Sequence, residues 1–380
     1  MSAPVVAVIG GGQLARMMAE PAGALGIHLR ALIEDDDGAT GQVVPDVRVG
    51  DPADRDAVSW LVDGADVVTF EHEHIPAATL EFLSSRLPVE PSGEALLFAQ
   101  DKIEMRKRLT SEAIACPRWM TVADEASARQ AFEQLGTPMI LKVARGGYDG
   151  RGVGLVDSLE EVLEWLERVD GAPVLAEEAI NFDREISVLQ ARSRDGEIVQ
   201  WEVTETIQAH GMCDTCLVPA RELSETLRAK ALAVGREIAT RLDVTGVLAV
   251  EMFVVGDRVL VNELAMRPHN SGHWTIEGAV TSQFENHLRA VLNLPLGETT
   301  LRQPAVVMAN VVGADAPEPR EAYAHVMRAD PGAKIHYYGK GFRPGRKLGH
   351  VTVCSHDVEN ALERARAARD KLVADERTKQ

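Results

Sequence analysis

Residues 246–274 read G-V-L-A-V-E-M-F-V-V-G-D-R-V-L-V-N-E-L-A-M-R-P-H-N-S-G-H-W, and the way this stretch folds back on itself organises the rest of the chain. Two runs rich in Val and Leu flank Gly256-Asp257, a strong short-range hairpin signal. A three-residue loop, Gly256 to Arg258, sets Glu251 across from Glu263, whereas a two-residue loop sets it across from Asn262. In either register carboxylates gather near the ends of two apolar strands. There they repel each other and lose hydration unless a cation lies between them. A hard divalent ion that takes oxygen ligands suits that place, Mg²⁺ bridging to phosphate oxygens. On a solvated edge hairpin the same two acids would be ordinary surface residues. The segment that follows favours a ligand site: Asn262, Arg267, His269, Asn270, His273 and Trp274 crowd hydrogen-bonding groups just beyond a strand end.

With 380 residues the chain is too long for one ordinary core, which predicts two or three domains. Its 40 basic and 58 acidic residues leave a net charge of −18, so nucleic acid and anionic membrane are disfavoured as partners. An anionic substrate must therefore be held by a local basic cluster. No apolar run reaches the roughly 18 residues of a membrane span. The N-terminus, M-S-A-P-V-V-A-V-I-G, has no charged leader and passes directly into a strand, so the expected compartment is the cytoplasm. Cys213 and Cys216 form a C-x-x-C, a pattern that suits redox chemistry or half a zinc site. No second pair completes a tetrahedron, and the expectation is two reduced thiols in a loop.

Along the chain, strand Val5 to Ile9 leads into G-G-G-Q-L-A and a helix, with Glu34 ending the second strand. That arrangement fits a dinucleotide-binding turn, so a nicotinamide-dependent oxidoreductase is one reading. Strand Asp66 to Phe70 ends in Glu71-His72-Glu73-His74. Alternating faces keep these four from converging on a metal, and Glu73 is the expected substrate contact. A charged helix, Asp101 to Ala113, carries Lys102, and strand Met139 to Val143 carries Lys142. The loop R-G-G-Y-D-G-R-G-V-G follows, with five glycines in nine residues, able to lie over phosphates. It lacks the G-K-[ST] ending of a Walker A loop. Val174 to Ile180 is a strand, Ile186 to Ala191 and Ile198 to Glu205 form a hairpin, and Glu222 to Leu242 is a helix. Near the C-terminus, Lys340, Arg343, Arg346 and Lys347 stand together in G-K-G-F-R-P-G-R-K-L-G-H, a loop suited to grip a phosphate.

Lys102, Lys142, the G-G-Y-D-G-R-G loop, the E-E-A-I segment, Glu185, Glu251 and Asn262-Glu263 stand in the order found in ATP-grasp ligases, which the chain resembles from Asp101 to Leu292. With the G-G-G-Q-L, N-E-L-A-M-R-P-H-N-S-G-H-W and K-L-G-H-V segments it looks more narrowly like the N5-carboxyaminoimidazole ribonucleotide synthetases, nearly end to end. The resemblance implies a mixed α/β and α+β architecture in three parts. These are a Rossmann-like N-terminal domain (1–104), an ATP-grasp domain (105–293) with a mobile lid at about 118–178, and a small β-rich C-terminal domain (294–380). It also implies a homodimer.

The same resemblance implies an ATP- and bicarbonate-dependent carboxylation of 5-aminoimidazole ribonucleotide through carboxyphosphate, with Mg²⁺ (or Mn²⁺) as cofactor and without biotin or NAD. Backbone groups of Glu177, Glu178, Ala179 and Ile180 would hold adenine, Glu185 the ribose, and Lys102, Lys142, Gly147, Tyr148, Asp149, Gly150, Arg151, Gly152 and Val153 the phosphates, with Gln208 also among the ATP-binding residues. Glu251 and Glu263 would carry the metal, with Asn262 assisting. Asp149 is the candidate to contact the exocyclic amine or accept its proton. Arg267, His269, Asn270 and His273 would hold bicarbonate. Gln13, Glu73, Tyr148, Arg151, Arg346 and Lys347 would contact the ribonucleotide, the last two at its 5′-phosphate, and Asp149, Arg267, His273 and Lys347 make up the expected catalytic set. A biotin-dependent ATP-grasp carboxylase would not need the Arg346-Lys347 grip, and a catalytically dead binding module would be expected to have lost a metal carboxylate or Lys142. Neutralising Arg346 and Lys347 together is therefore expected to raise the KM for the ribonucleotide and leave that for ATP nearly unchanged. Steady-state kinetics check this, and an equal rise in both constants contradicts the assignment.

Overall fold

The computed structural model describes residues 3–36, 38–147, 152–313 and 318–374. The first sheet holds β1 (Val5–Ile9), β2 (His28–Ile33), β3 (Asp46–Val49) and β4 (Val67–Phe70), all parallel in the order β3-β2-β1-β4. Helices cover both faces, which is why V-V-A-V-I and V-V-T-F run apolar without alternation. The second sheet is antiparallel, with β5 (Trp119–Val122), β6 (Met139–Val143), β7 (Val153–Val156) and β8 (Val174–Glu178) in the order β5-β8-β6-β7. Helices Glu125–Leu135 and Leu159–Arg168 pack on it through Ala128, Ala131, Val162 and Leu166. Lys142 sits on β6, and the described ends of the glycine loop, Gly147 and Gly152, lie between β6 and β7.

The third sheet is the frame of the molecule. It contains β9 (Arg184–Arg192), β10 (Ile198–Gln200), β11 (Thr204–Ala209), β12 (Met212–Val218), β13 (Gly246–Val255), β14 (Arg258–Ala265), β15 (Ala305–Val312), β16 (Lys334–Tyr337) and β17 (Lys347–Ser355). Their order is β14-β13-β9-β11-β12-β15-β17-β16, with β10 alongside β9. The strands near the C-terminus thus do not form a sheet of their own. β15 pairs with β12 from Thr215 to Val218, so one continuous ladder runs from the acid hairpin to the basic loop.

Two further expectations change. The strand expected over Ile198 to Glu205 is split, because Trp201 turns inward, fully buried, and its indole donates to the Thr281 carbonyl at 3.0 Å. Cys213 and Cys216 lie on β12, not in a loop.

Helix Gln283–Val291 ties the first sheet to the third. Its His287 accepts from the Val247 amide at Nδ1 (3.1 Å), which leaves Nε2–H to donate to Thr69 on β4 (2.8 Å). Burial pushes His287 down to about 3, so it stays neutral and keeps this tautomer. Among the described residues, no helix is long and apolar enough to cross a membrane. Removing the indole in Trp201→Ala is expected to reduce stability by about 3–5 kcal/mol through the cavity it leaves. Urea unfolding measures this, and a loss below about 1 kcal/mol contradicts the packing described.

Candidate active site

β13 and β14 are joined by Gly256-Asp257, with Val255 facing Arg258. This two-residue loop alone would oppose Glu251 to Asn262. A β-bulge between Glu251 and Met252 of the ladder makes Asn262 the extra residue and restores Glu251 opposite Glu263. The bulge turns both Asn262 and Glu263 toward the same site. There Lys142 donates to the Asn262 side chain at 2.8 Å, and Lys102 donates to Glu263.

Beneath this pair lies a residue the sequence reading missed. Arg106, on helix Lys102–Ser111, is completely buried, with Nε 2.5 Å from Glu177 and Nη2 2.7 Å from the carbonyl of the bulged Asn262. Lys142 approaches the other oxygen of Glu177 at 2.7 Å. Glu177 therefore acts through its side chain, bridging the two cations. Its backbone is taken up by the sheet, between Trp119 and Ile140, and the Glu178 amide donates to the Arg118 carbonyl at 3.0 Å. Of the expected adenine segment, only Ala179 and Ile180 lie beyond the strand end. The spacing of four residues between Lys102 and Arg106, which puts both on one helix face, was the available signal for Arg106.

On β9 Glu185 is buried and accepts from Thr206 (3.0 Å) and Gln208 (2.7 Å). Burial raises its carboxyl, against these hydrogen bonds. Glu251 is pushed well above the ordinary range, by burial first and then by Glu185 and Glu263, with Lys347 offsetting only part of the effect. Glu263 is affected by burial in the same sense, but Lys102 and Lys142 overcome it and hold the carboxyl low. His269 approaches Glu251 at 3.5 Å. Burial, with Arg267 nearby, pushes that histidine down to about 3, so it brings no positive charge. An under-compensated acid facing a second one fits a divalent cation. Among the described residues no third His, Cys, Asp or Glu completes a protein-only cage. Such an ion would rest on Glu251, Glu263 and phosphate oxygens.

On the substrate side Arg267 lies 2.8 Å from Glu73, bringing two expected contacts together from distant parts of the chain. His269 caps the short helix Asn270–Gly272, its Nδ1 accepting from the Ser271 amide at 3.3 Å. Both side-chain polar atoms of Asn270 are buried without a partner, an arrangement suited to a small polar ligand. The His273 ring is fully buried against Phe284, Tyr338 and His350, and its Nδ1 is 3.0 Å from Gln283. Its Nε2 is buried without a partner, as are the side-chain polar atoms of Asn270.

The basic loop folds back onto the N-terminal sheet: Lys340 donates to Gln13, and the Gln42 amide donates to the Gly339 carbonyl at 2.7 Å. Arg346 donates to the Gly341 carbonyl at 3.2 Å, and Lys347 opens β17. The glycine turn after β1 is occupied by the chain's own acids. The Gly11 amide donates to Glu34 at 3.0 Å and the Gly12 amide to Glu71, and a Cβ at Gly12 would collide with a Glu71 oxygen. Val153 is on β7, opposite Lys142. Tyr148, Asp149, Gly150 and Arg151 lie outside the described residues.

A parallel N-terminal sheet, a small antiparallel sheet bearing Lys142 and a large sheet bearing paired acids define an ATP-grasp enzyme. The ATP-grasp domain family matches residues 107–284, the ribonucleotide synthetase preATP-grasp domain residues 4–100, and the phosphoribosylaminoimidazole carboxylase C-terminal domain residues 306–364. The N5-carboxyaminoimidazole ribonucleotide synthase of Mycobacterium tuberculosis (strain H37Rv) is 45% identical over 96% of this chain and 87% of its own length. That of Corynebacterium ammoniagenes is 44% identical over 97% and 92%. Among solved structures, the Thermus thermophilus synthetase aligns with a TM-score of 0.89 at 38% identity, covering 98% of this chain and 99% of the other. The Aspergillus clavatus synthase in complex with ADP and 5-aminoimidazole ribonucleotide also aligns at 0.89, with 34% identity and the same coverage. The chain belongs to the N5-carboxyaminoimidazole ribonucleotide synthase family.

Although burial alone raises the Glu177 carboxyl, Arg106 and Lys142 hold it below its ordinary value. Its stabilising contribution is thus present above the unfolded carboxylate pKa, about 4.3, and is lost as pH falls through the lower folded value. Arg106→Ala is expected to reduce stability by about 3–5 kcal/mol near pH 7, as breaking a buried pair does. The deficit should shrink as Glu177 becomes protonated. Urea unfolding at neutral and acidic pH checks this, and a constant deficit contradicts it.

Proposed function

We propose that this chain catalyses the ATP-dependent conversion of 5-aminoimidazole ribonucleotide to N5-carboxyaminoimidazole ribonucleotide, taking its carbon from bicarbonate through carboxyphosphate. The observation that carries the reading is the meeting, at one bulged hairpin, of Lys102, Lys142 and His269, in a chain that matches the family nearly end to end. The homodimer and the cytoplasmic setting implied by the resemblance belong to the same proposal; sedimentation velocity tests the former.

A bicarbonate oxygen attacks the γ-phosphorus of ATP, the bond to the β-phosphate oxygen breaks, and ADP leaves. The amine nitrogen then attacks the carboxyl carbon of carboxyphosphate, the carbon–oxygen bond to phosphorus breaks, and phosphate departs as the nitrogen loses a proton. Transfer of this kind needs positioning and charge neutralisation more than covalent help from the protein. Lys142, steered by Glu177 and Asn262, and Lys102 present ammonium groups to the phosphates. Glu185, oriented by Thr206 and Gln208, takes the ribose hydroxyls. When bound, a divalent cation (magnesium, or manganese in its place) on Glu251 and Glu263 supplies further neutralisation of the phosphate oxygens.

Arg267, His269 and the unpartnered Asn270 hold bicarbonate, with Glu73 fixing the guanidinium. Gln13, Arg346 and Lys347 hold the ribonucleotide. Tyr148, Asp149, Gly150 and Arg151, outside the described residues, are assigned by the family resemblance to the phosphates and the ribonucleotide, Asp149 to contact the amine or accept its proton. In an ADP-release assay with bicarbonate, addition of the ribonucleotide is expected to stimulate turnover. Glu263→Gln is expected to lower it about 100-fold or more without loss of fold, in the range seen when one electrostatic partner of a transition state is removed. Turnover retained in that variant contradicts the assignment of Glu263.

A further inference from the structure

On β12 the sulfurs of Cys213 and Cys216 are 3.5 Å apart. Three residues along a regular strand would place them on opposite faces and too far apart to touch. The ladder shows how they meet. Cys213 pairs with Gln208 and Cys216 with Thr206 on β11, and the register slips between Ile207 and Gln208. Asp214 is the extra residue, so the two cysteines stand where residues two apart would stand, on one face of the sheet. Cys216 is buried and Cys213 is partly exposed. Their ladder partners, Thr206 and Gln208, are the residues that hold the Glu185 carboxylate.

We propose that Cys213 and Cys216 form a hydroperoxide-sensitive dithiol whose closure to an intramolecular disulfide displaces Gln208 and weakens ATP binding. The partly exposed Cys213 sulfur attacks the peroxide, the O–O bond breaks, and a sulfenic acid and water form. The Cys216 sulfur then attacks Cys213, the S–O bond breaks, and a second water leaves carrying the thiol proton. Two thiols are oxidised and one hydrogen peroxide is reduced to two waters. Contact with Cys213 and burial both keep Cys216 protonated at rest, which leaves Cys213 as the sulfur that meets the peroxide first; Cys216 gives up its proton as it attacks. Bond formation draws the sulfurs together across the bulge, and the strain falls on the strand pair that carries Thr206 and Gln208.

The effect on ATP rests on the proposed assignment of Glu185 and Gln208 to the nucleotide; formation of the disulfide does not. Treatment of the full chain with hydrogen peroxide is expected to remove two hydrogens from the peptide containing Cys213 and Cys216. The KM for ATP should rise about fivefold, the effect of losing one hydrogen-bonding partner. Dithiothreitol should reverse it. Cys213→Ser and Cys216→Ser should retain basal ADP release and show no such rise. A peptide with no disulfide overturns the proposal, as does an equal KM rise in Cys213→Ser. Gln208→Ala separates the two levels. If it raises the KM for ATP while the disulfide does not, the coupling is wrong. If it has no effect, the nucleotide assignment is wrong.

Discussion

Two glutamates forced to face each other in an apolar β-ribbon set the terms for everything around them. In a regular two-residue hairpin, Glu251 would face an amide and the repulsion would be relieved. One extra residue, Asn262, brings the acids back into opposition, and the molecule must then supply positive charge. It does so unevenly. Glu263 has Lys102, and Glu177 has Arg106 and Lys142, but the histidine beside Glu251 is neutral. The under-compensated acid beside Glu263 is what the proposed divalent cation would neutralise.

The same constraint explains the layout of the chain. Arg106 binds both the carbonyl of the bulged Asn262 and Glu177 on β8, so a single buried guanidinium connects the small sheet to the large one. At the opposite end, the β12–β15 pairing extends the large sheet to β17, which begins at Lys347. The loop before Lys347 reaches back to Gln13 and Gln42 of the N-terminal unit. In an acidic protein, this closure sets the basic loop that carries Lys340 against the first helix and its neighbouring turn.

Much of this was legible in the sequence because local rules carry it. The hairpin, the lysines of the helix and strand and the basic tail loop all announce themselves through turn chemistry, alternation or composition. The bulge did not, since counting from Gly256-Asp257 cannot reveal an inserted residue that only cross-strand pairing defines. Arg106 was hidden in K-I-E-M-R-K-R-L, where its charged neighbours read as a solvated face. The burial of His273 was not legible either: it shares a polar segment with His269 and Asn270, and local helical turns set its ring against His350. The joining of the C-terminal strands to the large sheet depends on pairings about 90 residues apart, which no local pattern encodes.

Direct titration of Mn²⁺ by electron paramagnetic resonance, in the presence of ADP, tests the central claim most closely. The account predicts that Glu251→Gln weakens Mn²⁺ binding by at least about tenfold, because even outer partners of a metal site have effects of that size. Equal Mn²⁺ affinity in the variant and the unaltered chain would contradict it.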